Sequence, residues 1–187
     1  MDNNIFEAIN ILKKGGLILY PTDTIWGIGC DGTNPEAVDR VYKLKKREDS
    51  KALVMLASNL DMVARYIKEI PQMAIQLVEV NDAPMTIIYP GATGLANNAI
   101  AEDGSVGIRI PLSGSCLELV QRFGKPLVST SANISGEPAP KSFSEISQHI
   151  KDGVDFILPQ SPNDRDGNKA SQIIKVALDG EIKIIRG

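Results

Sequence analysis

The chain is predicted to be an α/β protein: one twisted mixed β-sheet with helices around it. Two observations carry this. Segments with helical spacing of apolar residues are interleaved with short apolar runs of strand character. Several connections read as antiparallel, above all a terminal Asp179-Gly180 pair between two apolar runs, and this argues against a regular doubly wound parallel sheet. No internal repeat and no linker interrupts the 187 residues, so residues 1–187 are taken as one domain, long enough to bury a core.

The elements follow in order. Ile5, Ile9 and Leu12 lie four and three apart and make one face of a helix over 4–14, ended by Gly15 and Gly16. Residues 17–20 form a buried strand stopped by Pro21. Asn34 and Pro35 are a cap and a first-turn proline. Val38, Val41, Tyr42 and Lys45 continue that helix, with Lys45 at its outer end. A strand at 53–57 precedes helices near 59–69 and 71–80. Strands at 85–89 and 106–110 flank a Gly- and Asn-rich loop. An amphipathic helix over 114–123 ends at Gly124. Residues 126–128 are a buried strand. Ser142 and Glu145 read as a capping box for a helix to about 151. A short strand at 156–158, a loop at 159–170 and a hairpin of 173–178 with 182–186 complete the chain.

Hydrophobic content of 43% and charged content of 23% are ordinary for a globular chain. A net charge of −3 and a pI of about 5.2 give no global basic field for nucleic acid. Cys30 and Cys116 form no C-x-x-C and read as buried, reduced thiols of a cytosolic protein. His149 is the only histidine, which argues against zinc, and no protein metal site is expected. The first residues lack a basic n-region and an apolar h-region, and no apolar run approaches membrane-spanning length. The expectation is a soluble cytoplasmic protein with no membrane contact.

The chemistry concentrates in a few motifs. Residues 129–136 read Ser-Thr-Ser-Ala-Asn-Ile-Ser-Gly. Small polar residues at a strand's C-terminal end suit a polar ligand, in the crevice where open α/β sheets bind theirs. Ser129, Ser131 and Asn133 alternate, which places them on one side of an extended chain, or marks a hydrogen-bonded turn. Residues 43–51 supply positive charge through Lys43, Lys45, Lys46, Arg47 and Lys51. Cations at a helix C-terminus favour the macrodipole and are often simply solvated; alternatively Lys offers a compact point charge for phosphate and Arg a planar fork for phosphate or carboxylate. Arg109 alternates with Val106, Ile108 and Ile110, so it either faces solvent or aims into a cleft, as does Arg186. Residues 27–32 match G-x-G-x-x-G without its strand–turn–helix context, and a glycine-rich strand and turn explains them better. There is no G-x-S-x-G and no sign of a serine nucleophile. Residues 21–27, Pro-Thr-Asp-Thr-Ile-Trp-Gly, offer hydroxyls and an aromatic wall.

Taken in register, these segments resemble the YrdC-like family of threonylcarbamoyl-AMP synthases over nearly the whole chain. The shared pieces are P-T-D-T before an aromatic and a glycine, K-x-R at Lys45 and Arg47, G-x-R-x-P at 107–111, S-A-N-x-S-G at 131–136, a serine-bearing strand at Ser171, and a closing Arg186. The resemblance implies a single-domain form whose sheet surrounds a concave, positively charged cavity. It implies that L-threonine, bicarbonate and ATP give threonylcarbamoyl-AMP and pyrophosphate. The product would pass to a tRNA threonylcarbamoyl transferase complex. By the same resemblance, Lys45 and Arg47 face the phosphates or the new carbamate, and Arg109 grips the threonine carboxylate. Thr24, Ser131 and Ser171 orient threonine. Asn133 and Arg186 contact the nucleotide, with Ser105 and Ser142 on the nucleotide side. Mg²⁺ accompanies ATP through phosphates and water.

Departures from the family pattern are Trp26 for tyrosine, Ala52 for proline, the run Ala83, Pro84, Met85 before Thr86 in place of P-G-P, and Gln172 for threonine. Met55 stands where many members place a polar ligand-contacting residue. A competing reading is a non-catalytic RNA-binding module using the same basic cavity, with weak, salt-sensitive tRNA or RNA binding. A third is a carbamoyl-adenylate former, which usually sits inside a much longer chain.

Overall fold

The computed structural model describes residues 2–47, 53–164 and 170–187. In chain order the elements are α1 (Asp2–Lys13), β1 (Ile18–Tyr20), β2 (Gly27–Gly29), α2 (Pro35–Lys45), β3 (Val54–Leu56), α3 (Leu60–Tyr66), α4 (Gln72–Val80), β4 (Met85–Tyr89), β5 (Val106–Arg109), α5 (Ser115–Phe123), β6 (Leu127–Ser131), α6 (Gln148–Asp152), β7 (Phe156–Ile157), β8 (Gln172–Val176) and β9 (Ile182–Arg186). Among the described residues the strands form one sheet in the order β7-β1-β2-β6-β3-β5-β4-β8-β9. The sheet is mixed: β7/β1, β3/β5 and β4/β8 are parallel and the other neighbours antiparallel. The expected mixed architecture is therefore observed.

Local chemistry explains most boundaries. Asn34 Oδ1 accepts a hydrogen bond from Ala37 N at 3.1 Å and caps α2, with Pro35 in its first turn. Gly124 ends α5 at φ 76°, and Gly180 takes φ 89° in the β8–β9 turn, conformations that a side chain disfavours. α1 buries Ile5, Ala8 and Leu12 completely and packs against α5. α3 stops at Tyr66, earlier than the expected 69, because Ile67 turns extended and bridges Ala92.

The capping box expected at Ser142 does not form. Its hydroxyl pairs with Ser144 Oγ at 2.9 Å, and only a 3₁₀ turn, Phe143–Glu145, follows. Ile146 then turns extended to bury its side chain, which breaks the helix. α6 starts afresh, with Ser147 Oγ accepting from Ile150 N. Residues 27–32 are the strand and turn that their context implied. The glycines of β2 have a packing cause. The buried Tyr20 ring lies across the strand, and a Cβ at Gly29 would come within 2.7 Å of that ring and 2.8 Å of the Val128 carbonyl.

Gly29→Ala is therefore expected to cost about 2 kcal/mol or more. Denaturant unfolding of the purified variant measures this, and a change below about 0.5 kcal/mol would contradict the packing account.

Candidate active site

A cavity of about 370 Å³ opens over one face of the sheet. Side-chain alternation puts Val54, Arg109, Ser129, Ser131 and Ile173 on that face, so the site lies on the sheet rather than beyond its strand ends. The apolar run at 127–128 continues as strand to Ser131 because β2 and β3 hold it on both sides. Thr24, Ile25 and Trp26 of the loop after β1 close one side, and Arg47, Ser171 and Arg186 the other walls. No acidic side chain lines the cavity among the described residues.

Arg109 is 3% exposed and ion-paired to Asp23 Oδ1. Its second Nη donates to Thr24 Oγ1 at 3.4 Å, and Thr24 Oγ1 lies 2.9 Å from Thr22 Oγ1. Asp23 Oδ2 accepts Leu112 N at 3.1 Å, so one carboxylate ties the loop after β1 to the exit of β5. The open question of solvent or cleft is thereby answered: Arg109 lies in the cleft, with a counter-ion. Asp23 carries no role in the sequence reading. The signal was available, since an arginine inside an apolar strand requires a nearby carboxylate.

Arg186 reaches the cavity through a bulge. Ile173 pairs with Arg186 but Ile174 pairs with Ile184, leaving Ile185 as the extra residue. Regular pairing would set Ile185 opposite Ile173 and turn Arg186 to the other face. The Arg186 guanidinium donates to the Ser171 carbonyl at 3.1 and 2.7 Å. Ser171 Oγ lies 2.8 Å from Thr86 Oγ1. Pairing aligns Arg109, Thr86, Ile173 and Arg186 on one line across β5, β4, β8 and β9. Three strand spacings put the two arginines roughly 14 Å apart at Cα.

Lys45 overturns an expectation. It is 1% exposed rather than at the outer end of α2, because it shares the inward face of Val38, Val41 and Tyr42. Its Nζ donates to the carbonyls of Ser131 and, at 2.6 Å, Asn133. Desolvation, and then repulsion by Arg47, lower its pKa from 10.5 to about 8. Arg47, two residues on, does line the cavity, and burial lowers its pKa too. Lys46 between them is left-handed at φ 50°, with Lys46 N donating to Lys43 O and Arg47 N to Tyr42 O. This helix-ending turn sends the two side chains to different places.

Of the residues expected at the site, Thr24, Arg47, Arg109, Ser131, Ser171 and Arg186 meet at the cavity. Lys45, Asn133, Ser105 and Ser142 do not line it. Asn133 Nδ2 is engaged by the carbonyls of Ile134 and Glu137 at 2.9 and 2.8 Å. Ser105 precedes β5 at the end away from Arg109, its hydroxyl on Asp103 at 2.6 Å. Met55 faces away from the cavity, packed in the core, since Val54 takes the cavity side of β3; the position that shares Val54's face is Leu56. Lys51 and Ala52 lie outside the described residues, as do residues 165–169 of the 159–170 loop.

Among the described residues no cluster of His, Cys, Asp or Glu could hold a metal ion, and no helix is long and apolar enough to cross a membrane. Fold and cavity together define a class: a mixed α/β protein with a preformed pocket of guanidinium and hydroxyl groups. The family model for Sua5, YciO and YrdC proteins, described as telomere recombination, matches residues 10–187. The chain belongs to that family. A threonylcarbamoyl-AMP synthase of Vibrio parahaemolyticus is 32% identical over 182 residues, 92% of this chain and 98% of its own. The crystal structure of P. abyssi Sua5 complexed with L-threonine superposes with a TM-score of 0.83 at 24% identity, over 92% of this chain and 50% of that longer one. E. coli YciO matches at a TM-score of 0.82 and 22% identity, over 100% of this chain and 89% of its own.

Two predictions arise here. Asp23→Asn leaves Arg109 buried without a counter-charge and is expected to cost about 3 kcal/mol of stability, read by thermal or urea unfolding. The second concerns pH. Between about 8 and 10.5 the unfolded chain keeps a proton on Lys45 that the native chain has lost, so this group's contribution to stability rises with pH. The buried Cys116 thiol, pushed up to about 12, acts in the opposite sense above its ordinary value of 9.0. The difference between wild type and Lys45→Met isolates the lysine and is expected to grow by about 1–2 kcal/mol from pH 7.5 to 9.5. A flat difference would mean that Lys45 is not desolvated.

Proposed function

We propose that this chain is an L-threonylcarbamoyladenylate synthase, a nucleotidyltransferase that makes threonylcarbamoyl-AMP and pyrophosphate from L-threonine, bicarbonate and ATP. The observation that carries the reading is the line of polar groups from Arg109 to Arg186 across one sheet face. It pairs a charge-compensated end with a cationic end. At the first, Asp23 already balances Arg109, whose remaining N–H groups and the Thr24 hydroxyl suit the carboxylate of a small zwitterion. At the second, Arg186 donates to the Ser171 carbonyl and, among the described residues, has no carboxylate beside it; Arg47 adds a further guanidinium to the cavity wall, which suits a polyphosphate. A cavity of about 370 Å³ is within the size range of small-molecule sites. The threonylcarbamoyl-AMP synthase of Vibrio and the threonine held by the P. abyssi protein agree with this reading.

The chemistry needs no enzyme nucleophile. The threonine amine attacks carbon dioxide derived from bicarbonate and loses a proton, giving a carbamate. A carbamate oxygen attacks the α-phosphorus of ATP, the bond to the β-phosphate oxygen breaks, and pyrophosphate leaves. Catalysis is then alignment of the two substrates and neutralisation of charge by guanidinium groups. The hydroxyls of Ser129, Ser131 and Ser171 orient what the arginines hold. Mg²⁺ would travel with ATP on phosphate and water, since no carboxylate of the described wall offers a ligand. The activated product suits a downstream tRNA threonylcarbamoyl transferase complex. The two buried free thiols are consistent with a cytoplasmic setting. The RNA-binding alternative has less support, since Trp26 is the only aromatic side chain on the described wall.

Pyrophosphate release from ATP should require both L-threonine and bicarbonate, and mass spectrometry should detect the mixed anhydride. A folded protein that binds ATP but releases no pyrophosphate under these conditions would refute the synthase assignment.

A further inference from the structure

The K-x-R pair invites the reading that both cations meet the ligand. The geometry separates them. Lys45 is fully buried and its Nζ spends two of three N–H groups on the Ser131 and Asn133 carbonyls, while its own carbonyl accepts Ser135 N at 2.8 Å. No carboxylate among the described residues pairs with it. Asn133 Nδ2 donates to two further carbonyls of the loop, those of Ile134 and Glu137. Four carbonyls of one short loop thus converge on two donors. Carbonyl oxygens brought together repel one another unless a donor sits among them, and an ammonium is the strongest donor available. The same loop begins at Ser131, on the cavity wall, and Ala132 N donates to Trp26 O at 3.1 Å, which extends the β2–β6 ladder and ties it to another lining residue.

We propose that Lys45 is a positioning residue: its ammonium gathers the Ser131 and Asn133 carbonyls and sets the backbone of the 131–137 loop, while Arg47 meets the ligand. The Ser131 hydroxyl is then presented to the cavity, with the Ser131 and Asn133 carbonyls held by the lysine. Its importance to turnover rests on the synthase reading, but the arrangement itself does not, and the experiment keeps the two apart.

Hydrogen exchange of the ligand-free protein is the primary test, with emission of Trp26, the only tryptophan, as a second reporter. In Lys45→Met the amides of 131–137 should exchange roughly tenfold faster or more, and the emission should shift. In Arg47→Ala both should stay within about twofold of wild type, while calorimetry shows weakened ATP binding. Where Lys45→Met does not fold, Lys45→Gln keeps one donor and should show exchange faster than wild type in the same loop. In turnover, Lys45→Gln should raise the KM for ATP about tenfold with kcat changed less than about threefold. Wild-type exchange in the loop of either lysine variant, together with lost ATP binding, would overturn the proposal, because Lys45 would then act on the phosphates directly. Exchange accelerated equally throughout the chain, or a kcat loss as large as the KM change, would overturn it as well. Failure of threonine-dependent pyrophosphate release would strike the synthase reading and leave the exchange result standing.

Discussion

The buried ion pair between Arg109 and Asp23 is the constraint around which the cavity is arranged. A guanidinium deep in a sheet cannot be left without a counter-charge, and the carboxylate that supplies one comes from the loop after β1. That carboxylate also accepts Leu112 N. The loop after β1 therefore has one place to go, and Thr24 and Trp26 reach the wall because of it. Thr22 and Thr24 extend the same network, with Thr22 Oγ1 donating to Ile25 O at 2.7 Å. A motif that reads as a run of turn residues is, in space, a holder for one arginine.

The end of α2 shows how a single residue can divide a motif. Left-handed backbone at a non-glycine costs about 1 kcal/mol, and Lys46 bears that strain. In return the chain reverses within one turn. The lysine before it is committed to the interior, and the arginine after it emerges at the ligand cavity. Three adjacent cations in sequence thus have three environments: buried against carbonyls, exposed on a strained cap, and lining a pocket.

Periodicity made the elements legible. Helical spacing in α1, α2 and α5 and the Asp-Gly hairpin were readable without coordinates, because burial on one face leaves a repeating mark. Less visible was anything decided by tertiary partners. Lys45 falls in step with Val38 and Val41, so the pattern itself placed it inward, but its charge pulled the reading outward. Met55 was paired with the ligand by motif alone, whereas the alternation begun at Val54 turns it to the core. Ser105 and Ser142 satisfy neighbours within their own turns, which no spacing reveals. The extra residue in β9 leaves no trace in composition, since Ile184 and Ile185 look like two ordinary strand residues.

That extra residue sits on the outermost strand. Among the described residues β9 has β8 as its one neighbour in the sheet, and Ile184 is 72% exposed. One flank of the cavity is therefore held by a single ladder, whereas β5 and β6 are braced on both sides. Edge strands are the first parts of a sheet to fray, and an anion that engages Arg186 adds to the forces keeping this one docked. On the synthase reading, occupancy of the cavity and order of the last strand are thermodynamically linked, since an anion held by Arg186 would bind only the form in which β9 is paired.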